Sequence, residues 1–320
     1  NYTIVQTTCR QDVSGNANLG HYDYGLLVGR LIEANGKAGN INNVSVSCAN
    51  VVYTNNNAQP STSDLWFNLG AIGLVDTNTT VNNFTSNITA KISADNLKVS
   101  FGGIAGRNKG LIGDSLSTNY TNYVIANVTV DNLYDDQPDT LVANSSLGIA
   151  VGRNYENSAI YGVSVDGSIN AGNTSDIIVG GLVAQNDGVL QNSMSSAILK
   201  ANGIIGGIAG VNSSTITNVA YEIYSTSTTN CGIEGAGIIG GIVGRMTAGS
   251  ISYAIVQGYN IVDTAPNIVG NGATVGGLVG VAALNSNSTI QNSFVNATLS
   301  NSGTSVSYTH LRAHETDSYL

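Results

Sequence analysis

Charge is the scarcest feature of this sequence. Only 10% of the 320 residues are Asp, Glu, Lys or Arg, against roughly a quarter in ordinary soluble domains. A compact helical protein needs Lys, Glu, Ala and Leu along its helix surfaces, and that supply is thin here. The charges sum to −9 with no basic cluster, which disfavours duplex nucleic acid and an anionic membrane surface as partners. Long apolar runs are also missing. The stretch 203–211 is about half the length that spans a bilayer, so no transmembrane segment is expected. Proline, histidine and cysteine each number 3. Cys9, Cys48 and Cys231 form no CxxC pair, so a zinc or redox motif is absent. A Cys9–Cys48 disulfide is one reading if the N-terminal segment folds onto the first repeat unit, and it leaves Cys231 over. There is no HExxH, P-loop, dinucleotide fingerprint or nucleophile elbow. No catalytic residue, metal or cofactor is expected.

What the chain does have is 39 Gly, 41 Asn and plentiful Val, Ile, Thr and Tyr, a mixture that favours pleated surface. Apolar residues, at 42%, recur in regular clusters, which argues against disorder. The phrase Gly-Gly-(Leu/Ile)-(Val/Ala)-Gly begins at Gly102, Gly180, Gly206, Gly240 and Gly276, with Ala184 replacing the last Gly of one copy. Degenerate copies begin at Gly25, Ile72 and Gly148, and the shortest spacing, 26 residues, marks a bare coil without surface insertions. Two residues past the phrase stands Asn78, Asn108, Asn154, Asn186 or Asn212. Further on comes an aliphatic-x-Asn turn, at Asn43, Asn83, Asn192, Asn218 and Asn292.

Each unit reads as three short strands separated by Gly, Asn and Ser turns. One unit cannot bury its apolar side chains alone. Stacked copies pair their backbones and share a core. The expected fold is all-β, a parallel β-helix or β-solenoid of about eight coils with loop insertions. Phrase glycines are expected to supply positive-φ corners, and stacked Asn side chains to hydrogen-bond along the stack. The third position (Leu27, Leu74, Ile104, Leu182, Ile208, Ile242, Leu278; Ala150 is the small exception) is expected inside. The fourth (Val28, Val75, Ala105, Val151, Val183, Ala209, Val243, Val279) then faces outward by strand alternation. It is either covered by insertions or a second layer, or a lateral association surface.

The phrase followed by its Ile-x-Asn-Ser turn, best seen over residues 180–194 and 276–294, resembles the GLUG repeat family. The likeness covers most of residues 25–300. It implies a β-solenoid stalk or binding surface of a large secreted or surface-attached protein, adhesin-like or the non-catalytic region of a surface peptidase. It carries no catalytic residues to transfer. Asp76, Ala150 and Ala184 depart from the pattern. Residues 1–24 are expected to be a lead-in or cap, 25–304 the solenoid and 305–320 a non-native tail, which resembles translated sequencing adapter. Residue 1 is Asn and no signal peptide is visible, so a piece of a longer protein is expected.

Arg30, Arg107, Arg153 and Arg245 follow the phrase and would lie along one edge, as grips for an acidic ligand or as solvated corner charges, since the four do not stand in consecutive coils. His310 and His314 lie in the suspect tail, and His21 beside Tyr22 and Tyr24 fits a cap. Asp135, Asp136 and Asp139 fit a solvated loop better than a calcium or glycosidase site. Twelve N-x-Ser/Thr sequons begin at Asn1, Asn43, Asn78, Asn83, Asn87, Asn119, Asn127, Asn144, Asn173, Asn212, Asn287 and Asn296. They are glycan sites in a secreted eukaryotic protein, or chance in an Asn-rich chain.

Three functions compete. The first is a surface or secreted structural and adhesive protein, binding glycans, host or matrix molecules. The second is a polysaccharide-acting β-helical enzyme or a peptidase's accessory region; the catalytic version requires a cleft with three or more Asp, Lys or Arg from adjacent coils, and fails if Asp166, Asp176 and Asp187 lie far apart. The third is a scaffold that self-associates through the Val/Ala ladder.

Overall fold

The computed structural model describes residues 2–6, 9–12, 22–54, 66–93, 98–117, 119–130, 145–225, 231–260, 266–271, 274–283 and 288–302. Among them are 28 strands and no helix. The strands join into one sheet system in which every strand pairing is parallel, and each coil sits on the next. The chain is all-β and consistent with a β-helix or solenoid.

The glycine phrases do lie above one another. Gly25 pairs with Gly70 and Gly70 with Gly102. Gly148, Gly180, Gly206, Gly240 and Gly276 follow in one register. The two series join through Phe101 against Leu147 and Ala105 against Val151. That makes eight coils. The second begins at Gly70 rather than Ile72. It is one residue short in its corner, so Ile72 takes the fourth position beside Val28 and Ala105, and Leu74 stands level with Arg30 and Arg107.

In the bare fifth coil the three strands are Val183–Asn186, Val189–Ser195 and Ile198–Gly206. Their interior side chains continue as columns through the stack. Ile41, Val81, Ile112, Ile160, Leu190, Ile216, Ile251 and Ile290 form one aliphatic column. The six inner members are fully buried, each contributing about 1.5–3 kcal/mol by leaving water. Where one column holds the small Ser195 its neighbour is the large Tyr221, whose buried hydroxyl donates to the Ala197 carbonyl at 2.9 Å.

Two expectations about the corners are corrected. No phrase glycine has positive φ; they are small for a steric reason. A Cβ on Gly180, Gly206 or Gly240 would lie 1.8–1.9 Å from the carbonyl oxygen three residues on. Positive φ belongs instead to the aliphatic-x-Asn corner, at Asn43, Asn83, Asn192, Asn218 and Asn292 (φ 49–58°), with Gly162 and Tyr253 filling the same place. Asn tolerates this region because its short side chain can hydrogen-bond locally.

The fourth position does not face outward. Ile72, Ala105, Val151, Val183, Ala209 and Val243 are fully buried in the core. Strand alternation holds only inside a strand. Here one strand ends at Gly206 and the next begins at Ala209, and the bend between them turns positions three and four inward together. The Ile208 and Ala209 N–H groups both donate to the Ile242 carbonyl, at 3.0 and 2.9 Å, and the arrangement repeats from coil to coil.

The N-terminal strands Tyr2–Gln6 and Cys9–Asp12 pair in parallel with Asn40–Thr54. Cys48 is disulfide-bonded and Cys231 is a free thiol; the Cys9 side chain lies outside the described residues. So do His21, Asp135, Asp136, Asp139, His310, His314 and the tail 305–320.

Candidate ligand-binding edge

Three columns meet beside the glycine corner. The first runs Arg30, Leu74, Arg107, Arg153, Gln185, Val211, Arg245, Val281. The four arginines do share one column, but only Arg107 and Arg153 are direct neighbours. The second, two residues on, starts each turn after the strand: Asp76, Lys109, Tyr155, Asp187 and Ser213, each N–H bonded to the coil before. The third lies on the strand leading into the phrase, where Trp66 pairs with Lys98.

The structure separates the four arginines. Arg30 is largely exposed and donates to Asp76 Oδ2 from Nε at 3.1 Å and Nη2 at 2.5 Å. Burial pushes the Asp76 carboxyl up, but the Arg30 contact, the Thr77 N–H and the charge of Lys109 outweigh it and hold it below its usual range. Arg107 is 5% exposed and its Nη2 reaches Asp23 Oδ1 at 3.2 Å. The same oxygen accepts from Asn68 Nδ2 at 2.8 Å. Arg153 lies with Cζ 4.5 Å from the Trp66 ring centroid and 4.9 Å from that of Tyr155. Arg245 is half-buried three coils away.

Around Trp66 and Tyr155 the cations gather. Lys98 stands 5.8 Å from the Trp66 ring, while Lys109 and Arg107 stand 5.4 and 6.0 Å from that of Tyr155. The turn that presents Tyr155 is fixed. Its N–H donates to the Asn108 carbonyl, Ser158 N–H donates to its carbonyl, and Ser158 Oγ donates to Asn154 Oδ1 at 2.7 Å. Below it lies a buried ladder in which Asn108, Asn154 and Asn186 each donate to the next Asn at 2.8 Å. Asn78 is not part of it; Val75 holds that place, and Asn78 is an exposed turn residue bonded to Glu33. Among the described residues, four of the five side-chain polar atoms buried without a partner lie in the same coils: Asn68 Oδ1, Arg107 Nε, Ser146 Oγ and Arg153 Nε, with Tyr53 Oη the fifth.

Composition and motif reading missed Trp66, Lys98, Lys109 and Tyr155. A signal existed: Gly-Arg-Asn occurs at Gly106 and Gly152 only, and the next residue is Lys109 or Tyr155.

The acids do not converge. Asp166 lies on the strand Val163–Gly180 and Asp187 follows the Asn ladder, bonded by Ser213 and Gln185. Asp176 lies further along the strand of Asp166, at a positive-φ residue where the register shifts. These are three different columns, and among the described residues no hydrogen bond links any two of them. A pocket of about 270 Å³ is lined by Asp166, Ile198, Tyr224 and Cys231 among others. Burial, with Glu234 adding, pushes the Cys231 thiol up, which opposes a thiolate nucleophile. Among the described residues no group of three His, Cys, Asp or Glu is placed to hold a metal, and no helix is long and apolar enough to cross a membrane.

Of the sequons, Asn43, Asn78, Asn83, Asn87, Asn119 and Asn296 are exposed and Asn127 is half-buried. Asn212 is fully buried at the end of the Asn ladder, so the folded chain offers no glycan site there.

Comparison of the chain with protein families, with curated proteins and with solved structures finds no match.

Proposed function

We propose that the chain is a non-catalytic repeat protein of the GLUG kind, a secreted or cell-surface stalk with an adhesin-like binding edge. The observation that carries the reading is the cluster on coils two to four. An acidic chain gathers four cations around two aromatic rings there, on a rigid stack whose inner columns are unbroken. A rigid scaffold that presents side chains in fixed columns suits recognition of an extended ligand. The dispersed acids favour binding over glycoside hydrolysis, which in most families uses two carboxyl groups flanking one bond. The scaffold reading loses the surface it rested on, since the Val/Ala ladder is buried. The sequons left exposed fit an extracellular setting.

The test is binding of the full chain to immobilised glycans, matrix proteins and cell surfaces. Saturable binding without hydrolysis of the ligand supports the proposal. Cleavage of a bound polysaccharide overturns it in favour of the enzyme reading, and absence of binding to every surface overturns the adhesive part.

A further inference from the structure

We infer that Trp66, Arg107, Arg153 and Tyr155 form a binding site for a carboxylate-bearing sugar, a uronic-acid or sialic-acid residue of a glycan. The inference deepens the binding-edge reading above and rests on it.

The first argument is charge placement. The chain carries 11 Lys and Arg against 20 Asp and Glu. Four of the 11 nevertheless converge on two rings, a local concentration of cations in an acidic molecule, with Asp23 and Asp76 beside them. The second is unspent hydrogen bonding. Among the described residues Arg153 Nε is buried with no hydrogen-bond partner, and no carboxylate lies at ion-pair distance from Arg153. Arg107 is more than nine-tenths buried; Asp23 engages its Nη2, and its Nε is likewise unpartnered. A buried cationic donor strongly favours an acceptor.

The third argument is shape. Aromatic rings hold a guanidinium by its face, which leaves the N–H edge for acceptors in its plane. A planar carboxylate matches that edge with two parallel hydrogen bonds. Trp66 and Tyr155 are each only half-buried. An aromatic ring with a polar edge that stays accessible is the kind of wall on which the C–H face of a pyranose packs. An acidic peptide side chain brings the carboxylate without that face, and a neutral sugar brings the face without the carboxylate.

Trp66 is the one tryptophan in the sequence, so intrinsic tryptophan fluorescence reports on this site alone. The full chain is titrated with oligogalacturonate, a sialylated oligosaccharide, neutral oligogalactose and a poly-glutamate peptide. A saturable change in Trp66 emission is expected with one or both acidic sugars, with neutral sugar and peptide at least about tenfold weaker. Arg153→Gln is expected to weaken the acidic sugar about tenfold or more. Arg153→Lys, which keeps the charge and loses the fork, should weaken it too, while Arg245→Gln in the same column leaves it unchanged. Equal response to neutral sugar or to peptide overturns the inference, as does wild-type affinity in Arg153→Gln. If the chain binds cell surfaces and Arg153→Gln binds them equally well, this site falls and the adhesive reading stands. If oligogalacturonate binds at Trp66 and no cell or matrix surface does, the site stands and the adhesive reading falls.

Discussion

Asn186 donates from Nδ2 to Oδ1 of Asn212 at 2.8 Å, and both residues are fully buried. Asn186 also accepts from Asn154 at the same distance. The amide is therefore fixed between two coils. Asn186→Ala leaves a donor above and an acceptor below without partners, and each orphan costs about 1–3 kcal/mol. A loss of about 2–5 kcal/mol in urea unfolding is expected. Adding Asn212→Ala should cost less than its effect in the wild type, because one orphan is removed with it. Additive effects would show that the two amides are not coupled.

Tyr253 sits at φ 53° in a corner where Asn218 and Asn292 have φ 50° and 49°. A bulky side chain is strained there, whereas Asn and Gly are not. The ring is 58% exposed, so removing it loses little burial. Tyr253→Asn or Tyr253→Gly is expected to raise the unfolding midpoint, with a gain of about 0.5–1 kcal/mol. A lowered midpoint for both variants would mean the ring has a packing role the corner geometry does not reveal.

Gly206 has ordinary φ, yet a Cβ there would lie 1.8 Å from the Ala209 carbonyl oxygen and 2.8 Å from the Gly244 nitrogen. Both are backbone atoms in the core and cannot swing away. Gly206→Ala should cost about 2–3 kcal/mol or more through overpacking. Gly36 is the opposite case, with φ 70° and open space around its Cβ position. Gly36→Ala should cost only about 1 kcal/mol, from backbone conformation alone. Thermal unfolding of both variants compares the two; equal losses would remove the steric role given to the phrase glycines.

Tyr224 Oη donates to Glu222 Oε2 at 2.6 Å, and the phenol stacks on Tyr259 with centroids 5.0 Å apart. The hydrogen bond to Glu222, helped by burial and by the neighbouring charges, pushes the phenol up to about 12. Only the protonated phenol can donate. The interaction is thus complete below about pH 10, the ordinary phenol value, and is lost as pH rises through about 12. In an ultraviolet phenolate titration, Glu222→Gln should return Tyr224 towards the ordinary value. An unchanged titration would assign the shift to something other than Glu222.

The stack was legible because the repeat constrains one residue at a time. A glycine that meets the backbone three residues on, and an Asn held at positive φ, tolerate few substitutes and so recur visibly. Three things were hidden. The second coil's phrase was displaced because a one-residue deletion moved Ile72 into the fourth position. The inward Val/Ala column could not follow from strand alternation, since the bend that breaks the alternation is made by shared carbonyl acceptors rather than by a residue type. The Trp66–Arg153–Tyr155 cluster draws its members from three columns and from coils separated by insertions. Sequence order keeps them 87 and 2 residues apart, and only the vertical register brings them together.

The coil-on-coil register is tested most directly by cross-linking. Thr217 Oγ1 and Ser252 Oγ stand 2.8 Å apart on paired strands of consecutive coils, and Gln291 is one coil beyond Ser252. Two double variants, Thr217→Cys with Ser252→Cys and Thr217→Cys with Gln291→Cys, are made with Cys231→Ser to remove the free thiol. Stacking in this register predicts a ready disulfide in the first and none in the second, because bridged Cα atoms lie within about 7 Å. A disulfide in the second and not in the first would contradict the stack.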